Sequence, residues 1–71
     1  MSKMETVKIE TEFIRLDSLL KLAGFVETGG QAKFVIQNGE VSVNGTACTQ
    51  RGKKMRPGDQ AVYAGRQVTV E

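Results

Sequence analysis

The stretch Thr28–Gly39 contains residues whose types and spacing suit the binding of an anion. Thr28 can accept a hydrogen bond from the amide of Gln31, and the Gln31 side chain can reach back, which is the spacing of a capping box. A helix predicted to begin here carries Gly29 and Gly30 in its first turn. Its free amides and the positive end of its dipole attract phosphate oxygens, and glycine leaves those amides uncovered. The alternative, which a glycine pair taken alone favours, is that these residues only turn the chain between two helices.

A second group that could bind an anion is the basic segment, residues 51–56. The net charge of the chain is only +2, but residues 1–27 carry four basic and five acidic residues, whereas residues 28–71 carry six and three. The basic segment itself contains no acidic residue, and its four cations are Arg51, Lys53, Lys54 and Arg56. This asymmetry favours a polyanionic partner. The alternative is a loop whose cations merely keep it solvated.

The composition argues against catalysis and against a metal or cofactor. Histidine is absent and Cys48 is the only cysteine, so a zinc site, a Cys–His dyad and an intrachain disulfide are all excluded. With 71 residues, we expect one domain that buries about 60% of its unfolded surface, too little for an enclosed substrate pocket. We therefore expect a non-enzymatic protein with no cofactor.

The sequence has no long apolar run and no signal-peptide pattern. A lone thiol also suits a reducing compartment. These features predict a cytoplasmic protein that has no contact with a membrane, and we expect a monomer.

Apolar spacing predicts a strand and two helices in the first half of the chain. Residues 5–10 alternate apolar and polar side chains, as in a half-buried strand. From Arg15 an amphipathic helix is predicted, with Arg15 pointing away from the core, an exposed pair between Asp17 and Lys21, and Gly24 as its end. Its apolar face, and that of the second helix, comprise Leu16, Leu19, Leu20, Ala23, Ala32, Val35 and Ile36. The second helix is predicted to end just before Gly39.

Beyond residue 39, apolar and polar side chains alternate again, with the period of two residues that is typical of strands. Asn44-Gly45 predicts a type I′ hairpin turn between a strand at 41–43 and a returning strand at 46–49, which leaves Cys48 half-buried. The basic segment is then predicted as a loop closed by the turn at 57–59, and strands at 61–63 and 68–70 flank a turn at 64–67. The predicted fold class is α+β, with two short helices packed on a small curled, mainly antiparallel sheet.

Two apolar residues beside cations have more than one interpretation. Phe34, next to Lys33, lies opposite the apolar face of the second helix and could stack on an unpaired base. A neighbouring strand or hairpin more commonly covers such a ring, and we expect Phe34 to be covered. Met55, between Lys54 and Arg56, is expected to anchor its loop.

The motifs occur in a characteristic order. Arg15-Leu16-Asp17 comes first, followed by Thr28–Lys33 with Ile36 and Gly39, then Val41–Gly45 and Pro57-Gly58-Asp59. Together they resemble the RNA-binding domain first named from small-subunit ribosomal protein S-four, also called the αL motif, over a core of residues 13–62. The chain is most similar to small stand-alone bacterial members of the YaaA/YbcJ kind.

The resemblance implies binding to structured RNA, ribosomal or transfer RNA, with ribosomal particles as a further partner and a role in ribosome assembly or RNA maturation. It places the RNA contacts on the second helix and its N-terminus, on the exposed arginine of the first helix, and in the loop after the hairpin. The matching positions are Arg15, Thr28, Gly29, Gly30, Gln31, Lys33, Arg51, Lys53, Lys54 and Arg56. Many members have Ser-Arg in place of Thr28-Gly29, so one arginine contact with RNA is missing here. We therefore expect RNA binding to depend more on the backbone amides and the basic segment. We expect recognition of phosphate and shape rather than of bases, because side chains cannot read the deep major groove of double-helical RNA.

Two other function classes remain open at this point. The basic segment could instead dock on an acidic protein, as a protein-interaction module. Val43-Asn44-Gly45 with residues 57–62 also resembles small β-grasp sulfur carriers. Those end in Gly-Gly, whereas this sequence ends Val68–Glu71, so a carrier is the less favoured alternative.

Overall fold

Two helices pack on a five-stranded sheet, and a separate pair of short strands lies beside them. The computed structural model describes residues 3–71, with side chains from residue 5 onward. The elements in chain order are β1 (Lys3–Val7), β2 (Ile14–Arg15), α1 (Leu16–Leu22), α2 (Gly29–Gln37), β3 (Val41–Val43), β4 (Thr46–Ala47), β5 (Lys54–Met55), β6 (Gln60–Tyr63) and β7 (Arg66–Val70). The predicted α+β class is confirmed.

The five-stranded sheet has the order β1-β7-β6-β3-β4, and the second pair is β2-β5. Every pairing is antiparallel except that of β1 with β7, which is parallel and places Val7 opposite Val70. The first strand was predicted at residues 5–10, and it ends earlier, at Val7. Ile9 follows the strand, packs half-buried against the core, and donates its N–H to the carbonyl of Glu71 at 2.9 Å.

Two hairpin turns set the register of the sheet. Asn44 and Gly45 have φ angles of 51° and 87°, as the predicted type I′ turn requires. The returning strand β4 is two residues long, shorter than the predicted 46–49. The turn predicted at 64–67 is also shorter, because Ala64 (φ 52°) and Gly65 (φ 79°) make a second two-residue turn. Alanine gives no sequence signal for the left-handed conformation, so the sequence predicted a turn here but not its two-residue form.

Both helices end in the same way. The Gly24 N–H donates to the Lys21 carbonyl at 3.0 Å, and the Phe25 N–H donates to the Leu20 carbonyl at 2.9 Å. This is a Schellman motif, and the φ of +77° at Gly24 is the left-handed angle that it requires. Gly39 ends α2 with the same pair of bonds and the same φ.

The core lies between the helices and the sheet. Its helical members are those that the spacing predicted, with Ala23 half-buried at the edge: Leu16, Leu19, Leu20, Ala32, Val35 and Ile36. The link between the helices adds Phe25 and Val26, which are both buried. Met55 is completely buried from β5, so it anchors its segment as predicted. Removing a side chain of this size from water contributes about 1.5–3 kcal/mol.

Phe34 was predicted to be covered, and that prediction was wrong. Its side chain is 66% exposed, because no strand or hairpin of the described chain lies over the outer face of α2. Leu22 at the end of α1 is 64% exposed. Neither helix in residues 3–71 has the length and apolar character needed to cross a bilayer.

Candidate nucleic-acid interface

The N-terminus of α2 is capped by two side chains. Thr28 has extended backbone angles, and its Oγ1 accepts from the Gln31 N–H at 3.0 Å, as predicted. The Gln31 side chain also reaches back, but its Oε1 accepts from the N–H of Glu27 at 3.0 Å, one residue before the amide that a capping box uses. The amides of Gly29 and Gly30, at the first two helical positions, have no acceptor within the helix.

The fold itself does not require glycine at these two positions. Left-handed φ angles occur at other glycines, and neither Gly29 nor Gly30 is among them. Apart from its two chain neighbours and the backbone of its own helix, a Cβ atom at Gly29 would have no heavy atom within 4 Å, and one at Gly30 would meet only Thr28 Oγ1 at 4.0 Å. Both glycines therefore lie at helical angles on open surface, where alanine would be the better helix former.

The backbone of the basic segment caps the other helix. The Leu16 N–H donates to the Lys53 carbonyl at 2.9 Å, and the Asp17 N–H donates to the Arg51 carbonyl at 3.1 Å. Asp17 Oδ1 accepts from the N–H of Ser18 at 2.8 Å. The first three amides of α1 are thus satisfied, whereas the first two of α2 are not. Of the two helix N-termini in the described chain, only that of α2 therefore has amides without an acceptor.

The prediction of an irregular loop over residues 51–56 was wrong for Lys54 and Met55. These two residues form β5, which pairs with β2 so that Lys54 lies opposite Arg15 and Met55 opposite Ile14. The burial of Met55 and the open amides of α1 both favour this docking. The sequence could not show it, because the paired residues are about 40 positions apart.

Arg15 and Lys54, which lie opposite each other in the β2–β5 pair, are both exposed. Arg15 Nη2 lies 3.2 Å from Asp17 Oδ2, and the Arg15 side chain is 53% exposed. The carboxylate of Asp17 therefore pairs with Arg15. The predicted pair between Asp17 and Lys21 was wrong. Lys54 Nζ lies 5.0 Å from the ring centre of Phe13, in a cation–π contact.

The far end of the basic segment is fixed by Asp59. Its Oδ2 accepts from the Arg56 N–H at 2.8 Å, and its Oδ1 accepts from Asn44 Nδ2 at 3.2 Å. These hydrogen bonds, with the charges of Lys53 and Arg56 nearby, hold the pKa of Asp59 below its usual value. The turn at Pro57-Gly58 closes with a bond from the Asp59 N–H to the Arg56 carbonyl at 2.9 Å. The basic segment is thus tied to α1 at one end and to the β3–β4 hairpin at the other.

All ten predicted contact residues are exposed: Arg15, Thr28, Gly29, Gly30, Gln31, Lys33, Arg51, Lys53, Lys54 and Arg56. The structure brings Arg15 together with the basic segment through the β2–β5 pair. The predicted residues at the start of α2 lie on a helix that packs against α1. Among residues 5–71, no three carboxylate or cysteine side chains group as metal ligands.

One cation behaves differently from those predicted. Arg66 is half-buried: its Nη2 lies 2.9 Å from Glu5 Oε2, its Nη1 donates to the Gly24 carbonyl at 3.3 Å, and its guanidinium carbon lies 4.3 Å from the ring centre of Phe25. It joins β7 to β1 and to the link between the helices. Charge counting had included Arg66 in the basic half of the chain, and only its contacts show that its role is structural.

The chain matches a known domain family over most of its length. The model of the S4 domain matches residues 7–71. The chain belongs to the S4 domain family. The resemblance identified from the sequence is therefore confirmed, and it extends beyond the predicted core of residues 13–62.

Two relatives of this S4 domain protein are of nearly the same length. RlbA of Bacillus subtilis, named a probable ribosome maturation protein, is 42% identical over 59 residues, which are 83% of each chain. YbcJ of Escherichia coli, named a candidate RNA-binding protein, is 40% identical over 57 residues, 80% of this chain and 81% of its own. The solution structure of Escherichia coli YbcJ, described as revealing an αL motif involved in RNA binding, matches with a TM-score of 0.73 and 38% identity, covering 99% of this chain and 90% of that one.

Proposed function

We propose that this protein binds structured RNA, ribosomal or transfer RNA, and assists ribosome assembly or RNA maturation by binding rather than by catalysis. One observation carries the proposal: the basic segment docks on α1 through its backbone carbonyls, which leaves its four cationic side chains exposed, with Lys54 opposite the exposed Arg15. The S4 domain match and the names of RlbA and YbcJ support the same function.

The exposed cations suit phosphate recognition. Arginine can fork across two phosphate oxygens, whereas lysine acts as a point charge. Docking through the backbone also fixes the main chain that carries these cations before RNA arrives, which lowers the entropy lost on binding. Arg15, Arg51, Lys53, Lys54 and Arg56 would follow the RNA backbone, and the sequence of the RNA would matter little to them.

The open N-terminus of α2 would supply a second phosphate contact. The amides of Gly29 and Gly30 have no acceptor in the helix, and both residues are exposed. Thr28 and Gln31 hold the first turn in place, and Lys33 adds a charge one turn further on. We propose that this end of α2 fixes the orientation of the RNA that the basic segment attracts.

We further propose that residues 1–71 act as one RNA-binding domain, a monomer without a cofactor, on ribosomal particles in the cytoplasm. The tagged protein, recovered from cells with and without ribonuclease treatment, tests the nature of the partner. An RNA partner is expected to crosslink to the protein in cells and to be lost after ribonuclease. A partner that survives ribonuclease would instead support the protein-interaction module.

A further inference from the structure

The outer face of α2 carries an exposed aromatic ring beside a cation. Gly30, Lys33, Phe34 and Gln37 follow the i, i+3, i+4, i+7 spacing of one helical face, and all four are exposed. The buried residues of α2 lie on the opposite side. The helix contains one lysine and no acidic residue, so this face is electrostatically suited to an anion.

The position of Phe34 sets it apart from an ordinary surface residue. Single exposed apolar side chains are common in proteins, and exposure alone identifies no site. Phe34, however, lies four residues beyond Gly30 on the same face, a rise of about 6 Å from the open first turn. Phenylalanine is also a poorer helix former than alanine, so neither packing nor helix stability explains the ring.

We propose that the Phe34 ring stacks on an unpaired base of the RNA whose phosphate lies at the N-terminus of α2. This inference rests on the proposed RNA binding and adds a structural preference to it. Bases within a duplex are already stacked on their neighbours and present no free face, whereas an unpaired base can place its π-face on an aromatic ring. The preferred RNA would then be a duplex that adjoins an unpaired nucleotide, with Lys33 near the intervening phosphate.

The test uses one RNA hairpin in several forms: blunt, with an unpaired nucleotide at the 3′ or the 5′ end, and with a nucleotide bulged from the stem. At least one unpaired form is expected to bind the wild-type protein more tightly than the blunt hairpin does. That form is then compared with the same RNA carrying an abasic residue at the unpaired position. Phe34→Ala is expected to weaken binding of the RNA with the base by roughly 5- to 150-fold.

The two changes together form a double-mutant cycle. If Phe34 stacks on the unpaired base, the abasic RNA and Phe34→Ala each remove the same contact, so combining them costs no more than either alone. Phe34→Tyr keeps the ring and is expected to retain the affinity, whereas Phe34→Leu keeps an apolar side chain and is expected to lose it. Leu22→Ala, a matched exposed apolar position on α1, is expected to change nothing.

Two failures can be told apart. Stacking is refuted, while RNA binding stands, if the wild-type protein binds all the hairpins with equal affinity and a strong salt dependence, and Phe34→Ala binds them as tightly as the wild type does. If the wild-type protein binds none of them, the proposed function fails and the stacking with it. Additive effects of the abasic residue and Phe34→Ala would also refute the contact.

Discussion

The side-chain amide of Asn44 donates to Asp59 Oδ1 at 3.2 Å and so joins the β3–β4 turn to the turn before β6. Asn44 Oδ1 accepts from the Gln60 N–H at 3.0 Å, and the backbone N–H of Asn44 donates to the Gln60 carbonyl at 2.9 Å. Together with the bond from Arg56 to Asp59, these contacts hold the end of the basic segment in place. A single carboxylate therefore connects the stability of this region to pH.

Asp59→Asn is expected to lower the free energy of unfolding at pH 7 by about 1 kcal/mol, because it weakens hydrogen bonds to a charged acceptor. The pKa of Asp59 is lowered in the folded state, so its ionised form stabilises the fold above the unfolded pKa of about 4. That contribution is lost as the pH falls through the folded pKa. Urea unfolding between pH 7 and pH 2 should show the difference between wild type and variant shrinking with acid, and a constant difference would contradict the assignment.

Gly30→Ala is expected to leave stability unchanged or to raise it by up to about 1 kcal/mol, because alanine is the better helix former at a position with open space. RNA affinity is expected to fall, since the methyl group stands between the ligand and the amides. Gly39→Ala is the matched control, because its φ of +77° makes any side chain strained. It should lower the melting temperature without a specific loss of affinity. Unchanged affinity in a stable Gly30→Ala protein would refute the phosphate contact.

Replacing Arg51, Lys53, Lys54 and Arg56 with alanine together is expected to weaken binding to structured RNA and to flatten its salt dependence. Each lost phosphate contact should reduce the slope of log affinity against log salt by about one unit or less. Fluorescence anisotropy across a salt series measures that slope. The control is Lys8→Ala with Lys21→Ala, two exposed cations outside the proposed surface, and an equal effect of both sets would point to unspecific attraction.

Arg15→Ala is expected to reduce stability by less than about 1 kcal/mol, because its pair with Asp17 is exposed to solvent. Its effect on RNA affinity should be larger, about tenfold, since a charge-assisted bond to phosphate is lost. Arg15→Lys keeps the charge but not the fork, and it should restore only part of the affinity. Thermal melting and anisotropy on the same samples separate the two effects, and full affinity in Arg15→Ala would remove this residue from the surface.

Arg66→Ala is expected to behave in the opposite way to Arg15→Ala, with a large effect on stability and none on the salt dependence of RNA binding. It removes the pair with Glu5, the bond to the Gly24 carbonyl and the contact with the Phe25 ring, and it should lower the free energy of unfolding by about 2 kcal/mol. The slope of RNA affinity against salt should be unchanged at a temperature where the variant is folded. A flatter slope would mean that Arg66 also contacts RNA.

Short-range signals in the sequence determined the helix ends, one hairpin turn and the buried faces of the helices. The cap of Thr28 on α2, the glycines that end both helices and the Asn44-Gly45 turn each depend on bonds between residues at most five positions apart. Helical spacing identified the buried faces of both helices for the same reason, and the ordered motifs identified the S4 domain.

Tertiary structure alone decided how these parts meet. Three contacts join segments that lie far apart in the chain: the pairing of Arg15 with Lys54, the parallel pairing of β1 with β7, and the ion pair of Arg66 with Glu5. No local pattern encodes them, because they depend on which amides and apolar surfaces remain unsatisfied after the elements form. The exposure of Phe34 has the same origin: a helix marks which side faces the core, but only packing decides whether another element covers the opposite side.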